Sequence, residues 1–199
     1  MTEPRILLAS ASPRRSELLR QVGIAHEVRP VDVDESVREG EAPSAYVLRL
    51  AESKAAALWR QLAAADRRPV LAADTTVALE GEIFGKPASL AEAHSMLGQL
   101  SGRTHEVHTA VAILHGGGAA ARVSSSSVTF RVLTPAEIDA YWRTGEPADK
   151  AGGYAVQGCA AAFISHISGS YSGIMGLPLY ETWELLAPVL GLTAGGRQA

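Results

Sequence analysis

Residues 6–15 read Ile6-Leu-Leu-Ala-Ser10-Ala-Ser-Pro-Arg-Arg15, a short apolar run that passes through small residues into a helix start. Pro13 suits the first position of a helix, where its missing N–H costs nothing. The next segment carries apolar residues at helical spacing until Gly23. The sequence therefore predicts a strand, a tight turn and a capped helix, the unit from which α/β folds are built.

The rest of the chain alternates between strand and helix patterns and places a long hairpin in the middle. The predicted elements are, in chain order, a strand at 26–33, a helix from Pro43, a buried strand from Val70 that ends at Asp74, a hairpin around Glu80-Gly81, a helix at 91–100, a hairpin of 104–114 with 123–133, a helix from Pro135 that Gly145 ends, a strand at 163–167 and a helix from Pro178 that Pro188 ends or kinks. This order predicts an α/β fold with a mixed, twisted sheet flanked by helices. Because no repeat or linker is visible, we expect a single domain over residues 1–199. We expect two lobes with a cleft between them and the middle hairpin in the second lobe; the sequence does not resolve their boundary.

Composition limits the class of protein. Of the 199 residues, 47% are hydrophobic and 20% are charged, which is typical of a folded globular chain. No apolar run approaches the roughly 18 residues of a membrane helix, and the first apolar stretch is too short for a secretory signal. We therefore expect a cytoplasmic protein with no membrane partner. The single cysteine, Cys159, excludes an internal disulfide framework and a zinc site of several thiolates. A formal net charge of -3 argues against a nucleic acid polymer as partner.

The hydroxyls and guanidiniums of residues 10–15 indicate a phosphate site. A strand end that leads into a helix leaves backbone N–H groups free, and the helix dipole favours an anion there. Arg14 and Arg15 add planar donors that can bind phosphate oxygens in pairs. A capped surface helix with solvated arginines fits this segment equally well. The segment alone therefore does not decide between the two.

Asp74 and Thr75 follow an apolar strand, and strand ends are where ligands commonly bind in open α/β sheets. A carboxylate there can hold a divalent ion or accept a proton from water. It can also simply cap the following turn. Glu35, Lys54 and Lys86, taken singly, fit solvated charges on a loop or helix. Only their combination favours a site.

Three familiar motifs fail on inspection. Residues 81–86 are too few for a P-loop and lack the Ser or Thr that must follow its lysine. His105 and His108 lie on opposite faces of a predicted strand, so they do not form a zinc protease motif, and we interpret them as structural or exposed. Residues 115–118 lack the Gly-x-Ser-x-Gly elbow of an esterase, so we interpret them as a hairpin turn.

Six segments occur in the order found in the Maf family of nucleotide pyrophosphatases. They are Ser10-Ala-Ser-Pro-Arg-Arg15, Ala73-Asp-Thr75, Gly85-Lys-Pro87, Ser101-Gly-Arg-Thr-His105, Asp149-Lys-Ala-Gly-Gly-Tyr-Ala-Val-Gln-Gly158, and Gly169-Ser-Tyr with Gly176-Leu-Pro-Leu179. Six segments in the right order are far more specific than any one of them, and they span nearly the whole chain. The chain therefore resembles the Maf family along its length.

The resemblance implies a metal-dependent enzyme that cleaves nucleoside triphosphates to monophosphate and pyrophosphate. It also implies a deep cleft between two lobes, an architecture related to the inosine triphosphate pyrophosphatases, and a homodimer. Carried over by position, Asp74 is the expected general base, and Glu35 is expected to help it hold Mg²⁺ or Mn²⁺. The expected phosphate-binding residues are Ser10, Arg14, Arg15, Lys54 and Lys86. Cleavage of a polyphosphate requires such charge neutralisation, an oriented water and a stabilised leaving group.

Substrate choice in the family follows three positions, which are Arg14, Thr75 and Gln157 in this chain. The Asp-Thr pair at 74–75 resembles the branch that acts on dTTP and UTP, whereas the branch that acts on 7-methyl-GTP carries Gln after Asp. The Gln157 amide can complement the imide edge of uracil or thymine. Alternatively, it only braces its glycine-rich loop. The resemblance thus implies hydrolysis of dTTP, UTP and modified pyrimidine triphosphates.

Two other functions stay open. The family name derives from an effect on septum formation, so a nucleotide-sensing regulator of cell division with little turnover would keep the same pocket. The intact Asp74 and the lysines argue against it. A cysteine or serine hydrolase would need no metal, but Cys159, its thiol candidate, is expected to be a small buried residue.

Overall fold

A computed structural model describes residues 5–192, whose strands form a mixed sheet. The strands are β1 (Ile6–Leu8), β2 (His26–Val28), β3 (Val70–Leu79), β4 (Glu82–Phe84), β5 (Thr104–His115), β6 (Gly118–Phe130) and β7 (Ile164–Ser168). The helices are α1 (Pro13–Gln21), α2 (Pro43–Gln61), α3 (Leu90–Leu100), α4 (Pro135–Trp142), α5 (Tyr171–Met175) and α6 (Leu179–Leu190). Short 3₁₀ turns lie at Ala64–Asp66, Glu146–Asp149, Ala151–Gly153 and Cys159–Phe163.

The sheet combines parallel and antiparallel strands. Its order is β2-β1-β3-β5-β6-β7, and β4 also pairs with β3. β1 runs parallel to β2 and β3, whereas the pairs made by β4, β5, β6 and β7 are antiparallel. The predicted α/β fold with a mixed sheet and flanking helices is confirmed. The β5–β6 hairpin, which we assigned to a second lobe, pairs along β3 from Val70 to Ala78 and so belongs to the same sheet as β1. The division of one domain into two lobes stays a prediction.

Side chains alternate across β3 and pack against different helices. Ala72 lies in a buried cluster with residues of α2, whereas Leu71 and Ala73 lie in a second cluster with residues of α1 and α6. A third cluster packs the far end of β3 against α3 and α4. Because side chains alternate along a strand, Asp74 faces the α2 side and Thr75 faces the opposite side.

One edge of β3 is open between two short partners. β1 pairs with β3 at Val70 and Leu71, and β4 pairs with it from Val77 onward. Within residues 5–192, no strand pairs with residues 72–76 on this edge, which we call the edge gap. Asp74 was expected at the end of a strand, and this detail is wrong, because β5 pairs along β3 on the other side and keeps the strand extended. Asp74 nevertheless lies just beyond the end of its parallel neighbour β1.

The ends of β2 and α6 also differ from the predictions. β2 ends at Val28 rather than at residue 33; Pro30, which has no N–H to donate, follows closely. α6 continues through Pro188 to Leu190 and ends at Gly191, which adopts a left-handed conformation. The missing N–H of Pro188 falls in the last turn of the helix, where it ends the helix soon afterwards but does not break it.

The start of α4 follows its sequence signals. Thr134 accepts a hydrogen bond from the Glu137 backbone N–H, and the Glu137 side chain accepts one in return, so the pair forms a capping box with Pro135 in the first turn. The helix ends at Trp142, before the predicted Gly145, which instead precedes a 3₁₀ turn.

Among residues 5–192, no helix has the length and apolar character required to cross a membrane.

Candidate active site

The edge gap of β3 opens into a cleft of about 800 Å³. Its walls come from the segments after β1, β2 and β4, from α1 and α2, from residues 149–157 and from α5. The cleft is lined by every site residue that the sequence predicted: Ser10, Arg14, Arg15, Glu35, Lys54, Asp74, Thr75, Lys86 and Gln157. The fold therefore brings together residues that are far apart in the sequence.

Lys54 joins two carboxylates at one end of the cleft. Its Nζ lies 2.7 Å from Oδ1 of Asp74 and 2.6 Å from Oε1 of Glu35. Lys54 belongs to the buried face of α2, the helix that covers the Asp74 side of the sheet. Asp74 and Lys54 are only 7% and 9% exposed, so their attraction is screened less than that of a surface ion pair.

Glu35 lies on the loop after β2 and is held by α2. Tyr46 on α2 donates its hydroxyl proton to the backbone carbonyl of Glu35 at 2.9 Å. Partial burial opposes ionisation of the Glu35 carboxyl, but the hydrogen bond from Lys54 and the charges of Lys54, Lys86 and Arg15 bring its pKa below the usual value. Glu35 is therefore a carboxylate at neutral pH.

The two carboxylates fit a divalent cation. Asp74 and Glu35 contact the same ammonium, so the two carboxylates lie close together on one side of the cleft. Mg²⁺ and Mn²⁺ prefer oxygen ligands, and Mg²⁺ usually takes one or two carboxylates together with substrate phosphates. Residues 5–192 contain no group of three or more His, Cys, Asp or Glu side chains that could hold a metal. The remaining ligand positions would therefore fall to water or to phosphate oxygens.

Arg15 also lines the cleft and is held by three hydrogen bonds. Its Nε donates to the Gly176 carbonyl at 2.8 Å, its Nη1 to Ser10 Oγ at 2.9 Å and its Nη2 to Thr75 Oγ1 at 3.3 Å. Burial lowers the pKa of Arg15, and the nearby charge of Asp74 opposes that decrease. Three elements thus fix one guanidinium plane beside the edge gap.

Gly176 belongs to this site, although the sequence analysis assigned it no role. It ends α5 with a φ of 116°, a conformation that favours glycine, and this ending directs its carbonyl at Arg15. The signal that pointed to it was its place in the segment Gly176-Leu-Pro-Leu179.

Arg14 faces the wall formed by residues 149–157. Its Nη1 lies 3.7 Å from Oδ2 of Asp149, and Lys150 contacts the same carboxylate. Burial opposes ionisation of Asp149, but Lys150 and Arg14 bring its pKa below the usual value. Lys150 also lines the cleft, although sequence reasoning assigned it no role.

The lysines of the chain share this location. The sequence contains three lysines, Lys54, Lys86 and Lys150, and all three line the cleft, whereas its other cationic side chains are arginines. Lys86 and Gln157 are exposed on the cleft wall. Both are therefore accessible to a ligand that enters the cleft.

The strand histidines have structural environments, as predicted. His105 is 1% exposed, its Nε2 lies 2.8 Å from the hydroxyl of Tyr154, and its ring packs edge-on against Phe130. Burial lowers the pKa of His105 to about 4, so the ring is neutral at pH 7. His108 lies on the other face of β5 with its Nδ1 2.8 Å from Ser125 Oγ.

Cys159 was expected to be buried, and this prediction is wrong. The residue is exposed at the start of a 3₁₀ turn, where its backbone N–H donates to Glu146 at 3.0 Å. The turn buries its neighbours Ala160 and Phe163 instead. Cys159 lies outside the cleft lining, which removes the support for a thiol nucleophile in this site.

The sequence matches known proteins along nearly its whole length. The model of the family described as Maf-like protein matches residues 5–189. A Chromobacterium violaceum protein named dTTP/UTP pyrophosphatase is 51% identical over 187 residues, which cover 93% of this chain and 94% of that protein. Proteins of the same name from Methylobacillus flagellatus and Bordetella avium are 53% and 52% identical, and the matches cover 92% of this chain in both cases and 91% and 94% of those proteins.

Among solved structures, one titled "The structure of the Staphylococcus aureus Ham1 protein" aligns with a TM-score of 0.43 and 18% identity. The alignment covers 63% of this chain and 71% of that chain. The fold assignment rests on the strand order described above, and the expected relation to inosine triphosphate pyrophosphatases stays a prediction.

Proposed function

Because this chain belongs to the Maf-like protein family, we propose that it hydrolyses dTTP and UTP to the nucleoside monophosphate and pyrophosphate. The observation that carries the proposal is the convergence of Asp74, Lys54 and Arg15 in one cleft of about 800 Å³. In enzymes of phosphoryl transfer, carboxylates position or deprotonate the nucleophile, and ammonium and guanidinium groups neutralise phosphate charge. The relatives' names supply the identity of the nucleotide.

The cations of the cleft bind the triphosphate in this proposal. Arg14, Arg15, Lys54 and Lys86 line the same walls, and Ser10 adds a hydroxyl that already contacts Arg15. A planar guanidinium held by three acceptors presents its remaining N–H groups in a fixed direction, which suits two phosphate oxygens. Little ordering is then left to occur when the substrate binds.

Asp74 acts as the general base. Its carboxylate accepts a proton from a water molecule as the water oxygen bonds to the α-phosphorus. The bond from the α-phosphorus to the bridging oxygen breaks, and its electron pair leaves with pyrophosphate. Lys54, which contacts Asp74, and Arg15, which is near the charge of Asp74, neutralise charge that develops on the phosphate oxygens in this proposal.

Asp74 and Glu35 would hold the divalent cation, Mg²⁺ or Mn²⁺. When bound, such an ion neutralises phosphate charge and polarises the phosphoryl group. Lys54 contacts both carboxylates and keeps them from repelling one another before the ion and the substrate arrive. Phosphate oxygens and water complete the donor set in this proposal.

Arg14, Thr75 and Gln157 select the base. The Gln157 amide is exposed on the cleft wall, where its carbonyl and amino group can pair with the imide edge of uracil or thymine. Guanine presents a different pattern of donors and acceptors and is disfavoured. Modified pyrimidine triphosphates with an intact imide edge are expected to be accepted.

We further propose that the protein is a homodimer in the cytoplasm.

The test is pyrophosphate release from dTTP, UTP, CTP, GTP and 7-methyl-GTP, with Mg²⁺ or Mn²⁺ and with a chelator. We expect metal-dependent release that is fastest with dTTP and UTP. Release of many equivalents per protein excludes a nucleotide sensor with little turnover. If none of the five nucleotides releases pyrophosphate, the proposal is wrong. If release continues in the presence of the chelator, the proposed metal site is wrong.

A further inference from the structure

Thr109 is a buried polar residue outside the lining of the cleft. It lies on β5 directly opposite Thr75 of β3 and is 0% exposed. Its Oγ1 lies 2.9 Å from Thr75 Oγ1 and 2.7 Å from the backbone carbonyl of Gly173 on α5. A threonine hydroxyl buried in a sheet normally has a reason to be retained, since a valine of the same shape avoids the cost of burying a polar group.

The direction of each hydrogen bond follows from the number of protons. A carbonyl oxygen only accepts, so the single proton of Thr109 goes to Gly173. Thr109 then has no proton for Thr75, and Thr75 must donate to Thr109 across their 2.9 Å contact. A guanidinium only donates, so Thr75 must also accept from Arg15. The sequence of donors is therefore Arg15 to Thr75 to Thr109 to Gly173.

This series of hydrogen bonds ends on α5, the short helix whose end also accepts a hydrogen bond from Arg15 directly. The Gly173 carbonyl accepts from Thr109, and the Gly176 carbonyl at the end of α5 accepts from Arg15 Nε. Of the five N–H groups of a guanidinium, three donate to Gly176, Ser10 and Thr75, which leaves one on each terminal nitrogen for a ligand. The plane in which those two N–H groups lie depends on the three acceptors.

We propose that Thr109 is a positioning residue that keeps Thr75 as an acceptor for Arg15 and thereby directs the free N–H groups of Arg15 at the substrate phosphates. The inference rests on the proposed function, because it takes Arg15 as a phosphate-binding residue. The proposal also assigns Thr75 a second role, as an acceptor that orients Arg15. Since the proton of Thr75 is committed to Thr109, the Thr75 hydroxyl does not donate to a nucleobase, and it acts on the substrate through Arg15.

Thr109→Val tests the proposal, because it keeps the side-chain shape and removes the hydroxyl. The proton of Thr75 then loses its acceptor, so the direction in which the Thr75 lone pairs face Arg15 is no longer fixed. We expect kcat/KM for UTP to fall about tenfold, as for loss of one buried hydrogen bond to a charged group, and Thr109→Ser to restore it. Thr182→Val is the matched control: Thr182 is also 0% exposed, but its hydroxyl has no hydrogen-bond partner within residues 5–192. This control is expected to retain the wild-type kcat/KM.

A double-mutant cycle separates positioning from packing. If Thr109 acts through Thr75, Thr109→Val lowers kcat/KM by less than about twofold when it is added to Thr75→Val. A merely structural role, exerted through Gly173 and α5, would give the same loss in both backgrounds, and that result would overturn the proposal.

NMR of the Arg15 side chain gives a readout that does not depend on turnover. In protein labelled with ¹⁵N-arginine, the Nε–H signal assigned with Arg15→Lys is expected to shift and to exchange faster with water in Thr109→Val. It should stay unchanged in Thr109→Ser and Thr182→Val. An unchanged signal in Thr109→Val would overturn the proposal.

The kinetic and NMR measurements together distinguish failure of the proposed function from failure of the proposed role of Thr109. If wild-type protein releases no pyrophosphate from dTTP or UTP, the proposed function fails while the NMR result still decides the role of Thr109. If Thr109→Val does not fold, Thr109→Cys replaces it in both measurements, because a thiol is a similar-sized but weak hydrogen-bonding group.

Discussion

Lys54 Nζ and Asp74 Oδ1 lie 2.7 Å apart at the buried side of the cleft, and the same ammonium contacts Glu35 at 2.6 Å. One cation therefore serves two carboxylates that come from different elements, a strand and a loop. Removing the cation leaves two negative charges next to the expected position of a polyphosphate. The balance of charge at this point should decide whether the substrate binds productively.

Lys54→Met is therefore expected to lower kcat/KM for UTP by about 100-fold or more, the usual effect of losing one charged group that stabilises a transition state. The methionine keeps the apolar stem that packs against the sheet. Steady-state kinetics with circular dichroism as a check on folding measures this effect. A loss below about threefold would show that Lys54 only neutralises the carboxylates.

Asp74→Asn keeps the shape of the side chain but removes its capacity to accept a proton. We expect kcat to fall by about 10²- to 10⁴-fold, the range for loss of a general base, with a smaller change in KM. The fall should persist at every metal concentration. Full activity of the variant with metal present would exclude Asp74 as the base.

Glu35→Gln should behave differently from the Asp74 variant. Glu35 is half-exposed and is assigned only to metal binding, so more metal should compensate for its loss. We expect the Mg²⁺ or Mn²⁺ concentration at half-maximal rate to rise about tenfold, with kcat largely recovered at saturation. A metal titration of the reaction rate measures this. An unchanged titration curve would leave Asp74 without its proposed partner.

Thr75→Gln places in this chain the residue found in the branch that acts on 7-methyl-GTP. We expect kcat/KM for UTP to fall about tenfold, because the Thr75 hydroxyl that contacts Arg15 is lost. The ratio of kcat/KM values for UTP and 7-methyl-GTP should fall as well. If that ratio stays constant, Thr75 has no part in the choice of base.

His105 predicts how stability depends on pH. Burial lowers the pKa of His105 from 6.5 to about 4, so the unfolded chain binds a proton between these values and the folded protein does not. The free energy of unfolding should therefore decline as the pH falls from 6.5 towards 4, by roughly 3 kcal/mol at pH 4. Urea unfolding across this pH range measures it. A smaller decline in His105→Gln would assign the effect to this residue, and an equal decline would assign it elsewhere.

The sequence predicted the members of the site better than it predicted their surroundings. Asp74, Thr75 and Lys54 were found because apolar strands, helical spacing and motif order are local signals. The edge gap was missed, since the end of a strand is set by which neighbours pair with it, and β5 keeps β3 extended beyond Asp74. The role of Gly176 was missed as well, because its carbonyl meets Arg15 across 161 positions of sequence separation.

The edge gap makes the site sensitive to the lengths of the two strands that flank it. An unpaired strand edge can pair with another strand, and residues 72–76 stay unpaired on this edge because β1 ends at Leu8 and the antiparallel β4 ends at Phe84, opposite Val77. If insertions lengthened either flanking strand, hydrogen bonding would close the sheet across the opening and exclude the nucleotide, with every catalytic side chain still in place. The site is thus vulnerable to changes in segment length as well as in residue identity.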